Sequence, residues 1–237
     1  MEHLVSGKIA IVLARSGSKR LPRKNILQLG GKPMLAWTVE AAVQSGCFQR
    51  VLVSTDDQEI AEVGRHFGAE VPFLRAQATD DMASASQATL VALEQAEEHW
   101  GEKYQVVAQL MANCPLRNRD NVVDSVRHFE SIGAPSQISA FRFGWMNPWW
   151  AAKIEANGLP EYLFPEARGS RSQDLPALYC PSGALWIADR DKLAEAGTFY
   201  MQGHRLYPMD WVNALDIDDG EDLAMARACV ELRGKPA

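Results

Sequence analysis

The chain opens, after a short polar start, with Lys8–Ala14 (KIAIVLA), a nearly continuous apolar run rich in β-branched residues. Such a run reads as a strand buried on both faces, the kind found in parallel sheets. Pro33 then opens a helical pattern, with Leu35, Val39 and Ala42 or Val43 on one face and Gly46 where a C-terminal cap belongs. Arg50–Ser54 (RVLVS) repeats the strand pattern. Asp56 or Asp57 then caps a helix running to about Phe67, which Gly68 ends. Ser84 or Ser86 starts a longer helix through Leu90, Leu93 and Ala96. Gln105–Met111 reads as a third core strand, Val122, Val123, Val126 and Phe129 as another amphipathic helix, and Gln137–Phe141 as a fourth strand. Late in the chain the pattern predicts strands at Ala184–Ala188 and Trp211–Ile217, and a final helix through Leu223, Ala226 and Val230 capped by Asp219.

Strands that alternate with helices of about ten or more residues predict an α/β fold: a single, mostly parallel sheet flanked by helices, with right-handed crossovers. The rhythm breaks between Gly144 and Leu178, where Pro148, Pro160, Pro165 and Pro176 are interspersed with Trp145, Trp149, Trp150, Tyr162 and Phe164. That stretch reads as an irregular insert or arm. The expectation is one domain over residues 1–237 with an arm at about 144–178.

The chain has 237 residues, 47% of them apolar, enough for a sizeable core. No apolar stretch reaches the roughly 18 residues of a membrane span. Met1–Lys8 carries charge and His3 rather than the apolar segment of a secretory leader, so a cytoplasmic protein with no membrane contact is expected. The net charge of -6 argues against broad binding to nucleic acid, while leaving room for a small anion at a local basic cluster. Cys47, Cys114, Cys180 and Cys229 lie far apart with no metal-ligand spacing, and read as buried thiols. The five histidines are scattered and read as surface or structural.

The basic cluster is the loop after the first strand, Arg15-Ser16-Gly17-Ser18-Lys19-Arg20-Leu21-Pro22-Arg23-Lys24-Asn25, with five cations in eleven residues. Small residues let its backbone approach phosphate oxygens, arginine grips phosphate bidentately, and lysine supplies point charges. The carboxyl end of a parallel strand is where α/β sheets bind ligands. The glycine spacing fits neither a dinucleotide fingerprint nor a P-loop. A second feature is Asp216-Ile217-Asp218. Read as part of a strand, its two carboxylates share a face, a donor set that suits Mg²⁺ together with phosphate oxygens. Asp219, Glu221 and Asp222 read as helix-capping acids.

The segment Leu13-Ala14-Arg15-x-x-Ser18-Lys19-x-Leu21-Pro22-x-Lys24-Asn25 resembles the opening motif of the sialic-acid cytidylyltransferases, or CMP-acylneuraminate synthetases. The likeness continues in order through Val53-Ser54-Thr55-Asp56, Phe73-Leu74-Arg75, Ala83-Ser84, Cys114-Pro115-Leu116-Arg117, Arg171-Ser172-Gln173-Asp174-Leu175, Ser182–Ile187 and Asp216-Ile217-Asp218. It implies a Rossmann-like nucleotidyltransferase fold whose arm serves dimerisation and sugar binding. It implies that CMP passes from CTP to the anomeric hydroxyl of a sialic-acid-like (nonulosonic) 2-keto sugar acid, releasing pyrophosphate. Arg15, Ser18, Lys19 and Lys24 would then hold CTP phosphates, with Arg15 and Lys24 acting on the leaving pyrophosphate. Asn25, Arg75 and Ser84 would contact the cytidine half, Arg171 and Gln173 the sugar acid, and Asp216 and Asp218 the Mg²⁺ ion. A homodimer is implied as well.

Where the resembling enzymes carry glutamine and a Pro-Thr-Ser run, this chain has Met111-Ala112-Asn113-Cys114. A methionine cannot donate the glutamine's hydrogen bond. The tryptophans of the arm suit a deoxy sugar with more apolar surface, such as legionaminic or pseudaminic acid, and equally a dimer contact or core. The rival readings are a cytidylyltransferase for the eight-carbon acid KDO, whose loop reads Pro-Gly-Lys where this chain has Pro22-Arg23-Lys24, a metal-dependent glycosyltransferase, and a non-catalytic nucleotide-binding regulator.

Overall fold

The computed structural model describes residues 7–78 and 83–233; Met1–Lys8 and its His3 fall largely outside them. The chain runs β1 (Lys8–Leu13), β2 (Gln28–Leu29), β3 (Lys32–Pro33), α1 (Met34–Ser45), β4 (Arg50–Ser54), α2 (Gln58–His66), α3 (Ala85–Trp100), β5 (Val106–Met111), α4 (Arg119–Ile132) and β6 (Ser136–Arg142). It continues with β7 (Ala152–Ile154), β8 (Pro160–Tyr162), β9 (Tyr179–Asp189), α5 (Arg190–Ala196), β10 (Arg205–Met209) and α6 (Gly220–Arg233).

Six strands form the central sheet in the order β10-β6-β9-β5-β1-β4. The predicted β1, β4, β5 and β6 are all present, and β1 pairs in parallel with both β4 and β5. The mostly parallel sheet predicted from the sequence is the one observed, with one exception in its middle: β9 runs antiparallel to both β5 and β6. The alternating side chains of β1 serve two cores. Ala10 and Val12 pack with Leu35, Val39, Ile60, Val122 and Val126 from α1, α2 and α4 on one face. Ile9, Ile11 and Leu13 pack with Ala92, Leu93, Ala96 and Leu193 from α3 and α5 on the other. A smaller cluster of Leu29, Met34, Leu116, Ile217, Leu223 and Ala226 seats α6 on the β2–β3 ribbon.

The capping chemistry follows the sequence closely. Gly46 ends α1 with a φ of 62°, in the left-handed region glycine favours. Asp57, rather than Asp56, caps α2 through Ile60 N, and Ser84 and Gln87 form a capping box on α3. Asp219 Oδ1 accepts from Glu221 N and Asp222 N at the start of α6, the capping role expected of it.

The strand expected at Trp211–Ile217 is not there. The last strand is β10, and 211–214 form tight turns held by Val212 N donating to Asp210 Oδ1 and Ala214 N to Asp210 O. Ala214 and Ile217 are the buried residues of this stretch, and a spacing of three belongs to turns, not to a strand. The arm at 144–178 carries a small β7–β8 hairpin among short 3-10 turns. Of the cysteines, Cys47 and Cys114 are buried as expected, whereas Cys180 and Cys229 are half-exposed; all four are free thiols. No described helix is long and apolar enough to cross a membrane.

One buried ion pair fastens α5 and β9 to α3. The Glu97 carboxylate, almost fully buried, accepts from Arg190 Nη2 at 2.6 Å and from Lys103 Nζ at 2.7 Å. Burial raises its pKa, but the two cations more than offset this and leave it below the usual carboxylate value. A depressed folded pKa adds stability above the unfolded value that is lost as pH falls through the folded one. Glu97→Gln should therefore cost about 1–3 kcal/mol at pH 7 by urea unfolding, and the difference from wild type should shrink as the pH falls below the usual carboxylate range and the wild-type carboxyl is itself protonated.

Candidate nucleotide and metal site

A cleft of about 280 Å³ opens at the carboxyl ends of β1 and β5. Its wall includes Leu13, Arg15, Ser18, Lys24 and Asn25 from the first strand and its loop, Arg75 and Ala78 from the segment after α2, and Ala83–Ala85 and Ala88 from the head of α3. Met111 and Asn113 from the end of β5, with Asp216 and Asp218, complete it. The structure thus brings together Arg15, Ser18, Lys24, Asn25, Arg75, Ser84, Asp216 and Asp218 from the sequence-predicted set. Lys19, Arg171 and Gln173 do not line the cleft. Lys19 is exposed on the loop, and Arg171 and Gln173 are exposed on the arm, where Arg171 pairs with Asp174 at 2.7 Å. Asp216 and Asp218 reach the cleft from an extended loop, not from the predicted strand.

The basic loop is held in shape by neutral and acidic partners. Ser16 donates to Asp56 from its backbone N at 2.8 Å and from its hydroxyl at 2.9 Å. Buried Asn25 donates from Nδ2 to the Arg15 carbonyl at 2.8 Å, closing the loop's two ends on each other. Arg23 adopts a left-handed φ of 56° and pairs with Glu59, turning the chain so that Lys24 faces inward. Lys24 Nζ then reaches Asp218 Oδ1 at 2.8 Å, and Arg20 Nη2 reaches Asp218 Oδ2 at 2.5 Å. Sequence reading gave Arg20 and Asn113 no role of their own. Arg20 was one of five cations in a run, and Asn113 stood out only as a departure from the resembling motif, although its place at the end of a core strand is a signal.

The two acids differ. Burial raises the Asp218 carboxyl, but hydrogen bonds from Lys24 and Arg20 bring it below the usual value. Burial and then the neighbouring Asp218 charge push Asp216 up to about 6. Its hydrogen bonds come from neutral donors, the Asn113 amide and the Cys114 thiol. Two converging carboxylates, one short of positive charge, are an oxygen donor set that fits a hard divalent cation also bound by substrate phosphates. No group of three or more His, Cys, Asp or Glu able to hold a metal occurs among the described residues.

Across the cleft, Arg75 is buried with its Nη1 on Ser54 Oγ at 3.0 Å, and its Nε has no hydrogen-bond partner among the described residues. Burial lowers its pKa, Arg15 adds to the shift, and Asp56 opposes it. Beneath Met111, Gly183 carries no side chain where a Cβ would lie 2.7 Å from Met111 Cγ, so β9 passes close under the methionine.

A twisted, mostly parallel sheet with an anion-ready loop and a carboxylate pair at its carboxyl edge defines a nucleotide-handling α/β protein. The comparisons with known proteins are specific. A family model described as cytidylyltransferase matches residues 9–126. A pseudaminic acid cytidylyltransferase of Campylobacter jejuni is 31% identical over 231 residues, 97% of this chain and 98% of that protein. A CMP-N,N'-diacetyllegionaminic acid synthase of Legionella pneumophila is 30% identical over 232 residues, 94% and 96% of the two chains. A CMP:2-keto-3-deoxy-manno-octonic acid synthetase structure, complexed with CTP, superposes with a TM-score of 0.70 at 17% identity over 96% of this chain and 100% of that one, a likeness of fold. The chain belongs to the cytidylyltransferase family, among the enzymes of the sialic-acid type.

Arg75 separates a structural role from a ligand-binding one. Burial disfavours the Arg75 charge, so an apolar side chain of similar length removes a desolvation cost. Arg75→Met should therefore keep or slightly raise the melting temperature while weakening CTP binding by about tenfold or more, since a hydrogen bond to a charged group is worth about 1.5–3 kcal/mol. Calorimetric titration with CTP and a thermal melt on the same preparation check both halves.

Proposed function

We propose that the protein transfers CMP from CTP to the anomeric hydroxyl of a nonulosonic 2-keto sugar acid and releases pyrophosphate. The observation that carries this reading is the meeting of the Arg15–Lys24 loop and the Asp216/Asp218 pair in one cleft, with Lys24 Nζ 2.8 Å from Asp218 Oδ1. The near full-length likeness to the pseudaminic and legionaminic acid enzymes supports it. The anomeric oxygen attacks the α-phosphorus in line; its bond to phosphorus forms as the α–β bridging bond breaks, pyrophosphate leaves, and the hydroxyl proton passes to solvent. Arg15 and Lys24 hold the phosphates and stabilise the departing charge, with Ser18 and Lys19 contributing from the loop. Arg75, Ser84 and Asn25 line the part of the cleft proposed for the cytidine half. Ser84 does so while capping α3, and Asn25 while holding the Arg15 carbonyl. Positioning and electrostatic stabilisation do most of the work in such transfers.

Asp216 and Asp218 would hold Mg²⁺, which when bound stabilises charge on the phosphate oxygens and lowers the pKa of the attacking hydroxyl. Lys24 and Arg20, which pair with Asp218, would serve the triphosphate where a cation neutralises the acids.

The test is pyrophosphate release from CTP and Mg²⁺ with pseudaminic, legionaminic, N-acetylneuraminic and KDO acids offered separately. Turnover is expected with a nine-carbon acid and lost by about 100-fold or more in Arg15→Ala and Lys24→Ala, as when a preorganised charge partner of a transition state is removed. Turnover with KDO alone would move the reading to the eight-carbon enzymes. Release with no acid in the panel would overturn it.

The sugar side is proposed to be completed in a homodimer. Arg171 and Gln173 stand outside their own chain's cleft, on an arm that exposes Trp145, Met146, Ile154 and Leu159. Trp149 braces this arm by packing on Phe164 at 4.9 Å and donating to the Pro176 carbonyl at 2.9 Å. Exposed aromatic and apolar side chains on a braced segment suit an interface. The pair Arg171 and Gln173 would then face the sugar acid in the partner's cleft. Light scattering at micromolar concentration should show a dimer. Mixing Arg171→Ala with Lys24→Ala subunits should restore part of the activity that each lacks alone. A fully active monomer would refute the arrangement. A cytoplasmic location accords with the use of CTP.

A further inference from the structure

The Asp216 and Asp218 carboxylates converge although each carries negative charge and their segment has no strand geometry to hold it. Their common point is Asn113, two residues past the end of β5 and almost fully buried. Its backbone carbonyl accepts from Ile217 N at 2.9 Å. Its side-chain Nδ2 donates to Asp216 Oδ1, to the Ile217 carbonyl at 3.2 Å and to Asp218 Oδ1 at 3.3 Å. One residue of the sheet's edge thus meets three consecutive residues more than a hundred positions later, and its amide nitrogen lies between the two acids.

The chemistry of the side chain matters. An amide nitrogen is a donor without charge. A lysine or arginine in its place would neutralise the acids and compete with an incoming cation. An apolar residue would leave two carboxylates repelling each other with nothing between them. A third carboxylate would add to the repulsion. Asparagine can hold the pair together when no cation is present and does not oppose one when it arrives.

We propose that Asn113 is a positioning residue that keeps Asp216 and Asp218 aimed at one point, so that the pair is preorganised for a divalent cation; this rests on the reading of the pair as the metal site.

The experiment uses the full chain and Mn²⁺ alone as the probe, with free Mn²⁺ read by electron paramagnetic resonance and melting temperatures taken with and without Mn²⁺. Asn113→Ala should weaken Mn²⁺ binding by about tenfold or more, as loss of a ligand-orienting partner does, while CTP affinity measured without metal stays within about twofold. Asn113→Asp keeps the shape and adds a negative charge. It should melt below wild type without metal, and Mn²⁺ should raise its melting temperature by more than it raises that of wild type. Unchanged Mn²⁺ affinity in Asn113→Ala, or an Asn113→Asp protein equally destabilised with and without Mn²⁺, would overturn the proposal. Should the alanine variant fail to fold, the aspartate variant decides alone, and its failure to fold even with Mn²⁺ counts against the proposal. Asp216→Asn separates the two levels. If it binds Mn²⁺ like wild type, the metal reading itself fails. If it loses Mn²⁺ while Asn113→Ala keeps it, only the role of Asn113 fails.

Discussion

Lys24 and Asp218 lie 194 positions apart in the chain and 2.8 Å apart in space. The cleft depends on that closure. The first strand delivers the cationic loop, and the last loop before α6 delivers the acids. The middle of the chain serves largely to bring these two ends to one edge of the sheet. The charges at this closure are unevenly shared. Lys24 and Arg20 both lean on Asp218, and Asp216 is left with neutral donors. An arrangement built only for stability would distribute those charges more evenly, because an uncompensated charge in a partly buried site costs more than it returns.

The loop's conformation is fixed away from the ligand-facing atoms. Asp56 holds Ser16, Asn25 holds the Arg15 carbonyl, and Glu59 holds Arg23. Each contact constrains the backbone while leaving Lys24 turned inward. Of the loop's five cations Arg15 and Lys24 line the cleft, and the cost of ordering them there is met when the chain folds rather than when a ligand binds. Arg117, fully buried nearby, carries the same theme into the core. Among the described residues its guanidinium donates to the Ala184 and Met111 carbonyls alone, and burial lowers its pKa to about 10. It bridges β9 to the end of β5, close beneath the turn that carries Asn113.

The parts of the fold legible in the sequence are those in which burial pattern and element type coincide. β1 is apolar throughout because both of its faces are covered, and the Ser84, Asp57 and Gly46 caps are local chemistry that three or four residues specify. The reversed direction of β9 was not legible, since a strand's alternation is the same whichever way it runs. The segment 211–217 misled because apolar residues dense enough for a strand bury there at turn spacing. Most of the cleft was legible through its charged residues and the collinear motifs. Asn113 was not, because an uncharged amide carries no signal until the acids it meets are placed around it.

Burial disfavours the charge of two groups that line the cleft, one cationic and one acidic. Arg75 is a buried cation with an unpartnered Nε, and Asp216 is a buried acid whose pKa is pushed up to about 6. Both line the same cleft. Among the described residues, the charges acting on Arg75 are those of Asp56 and Arg15, and the charges acting on Asp216 are those of Asp218, Lys24 and Asp222. Polar groups buried without partners are rare in proteins and need a reason. In the reading proposed above, one molecule, anionic along its phosphates and rich in hydrogen-bond acceptors on its base, would offer Arg75 Nε an acceptor at one end and bring a divalent cation to the acids at the other.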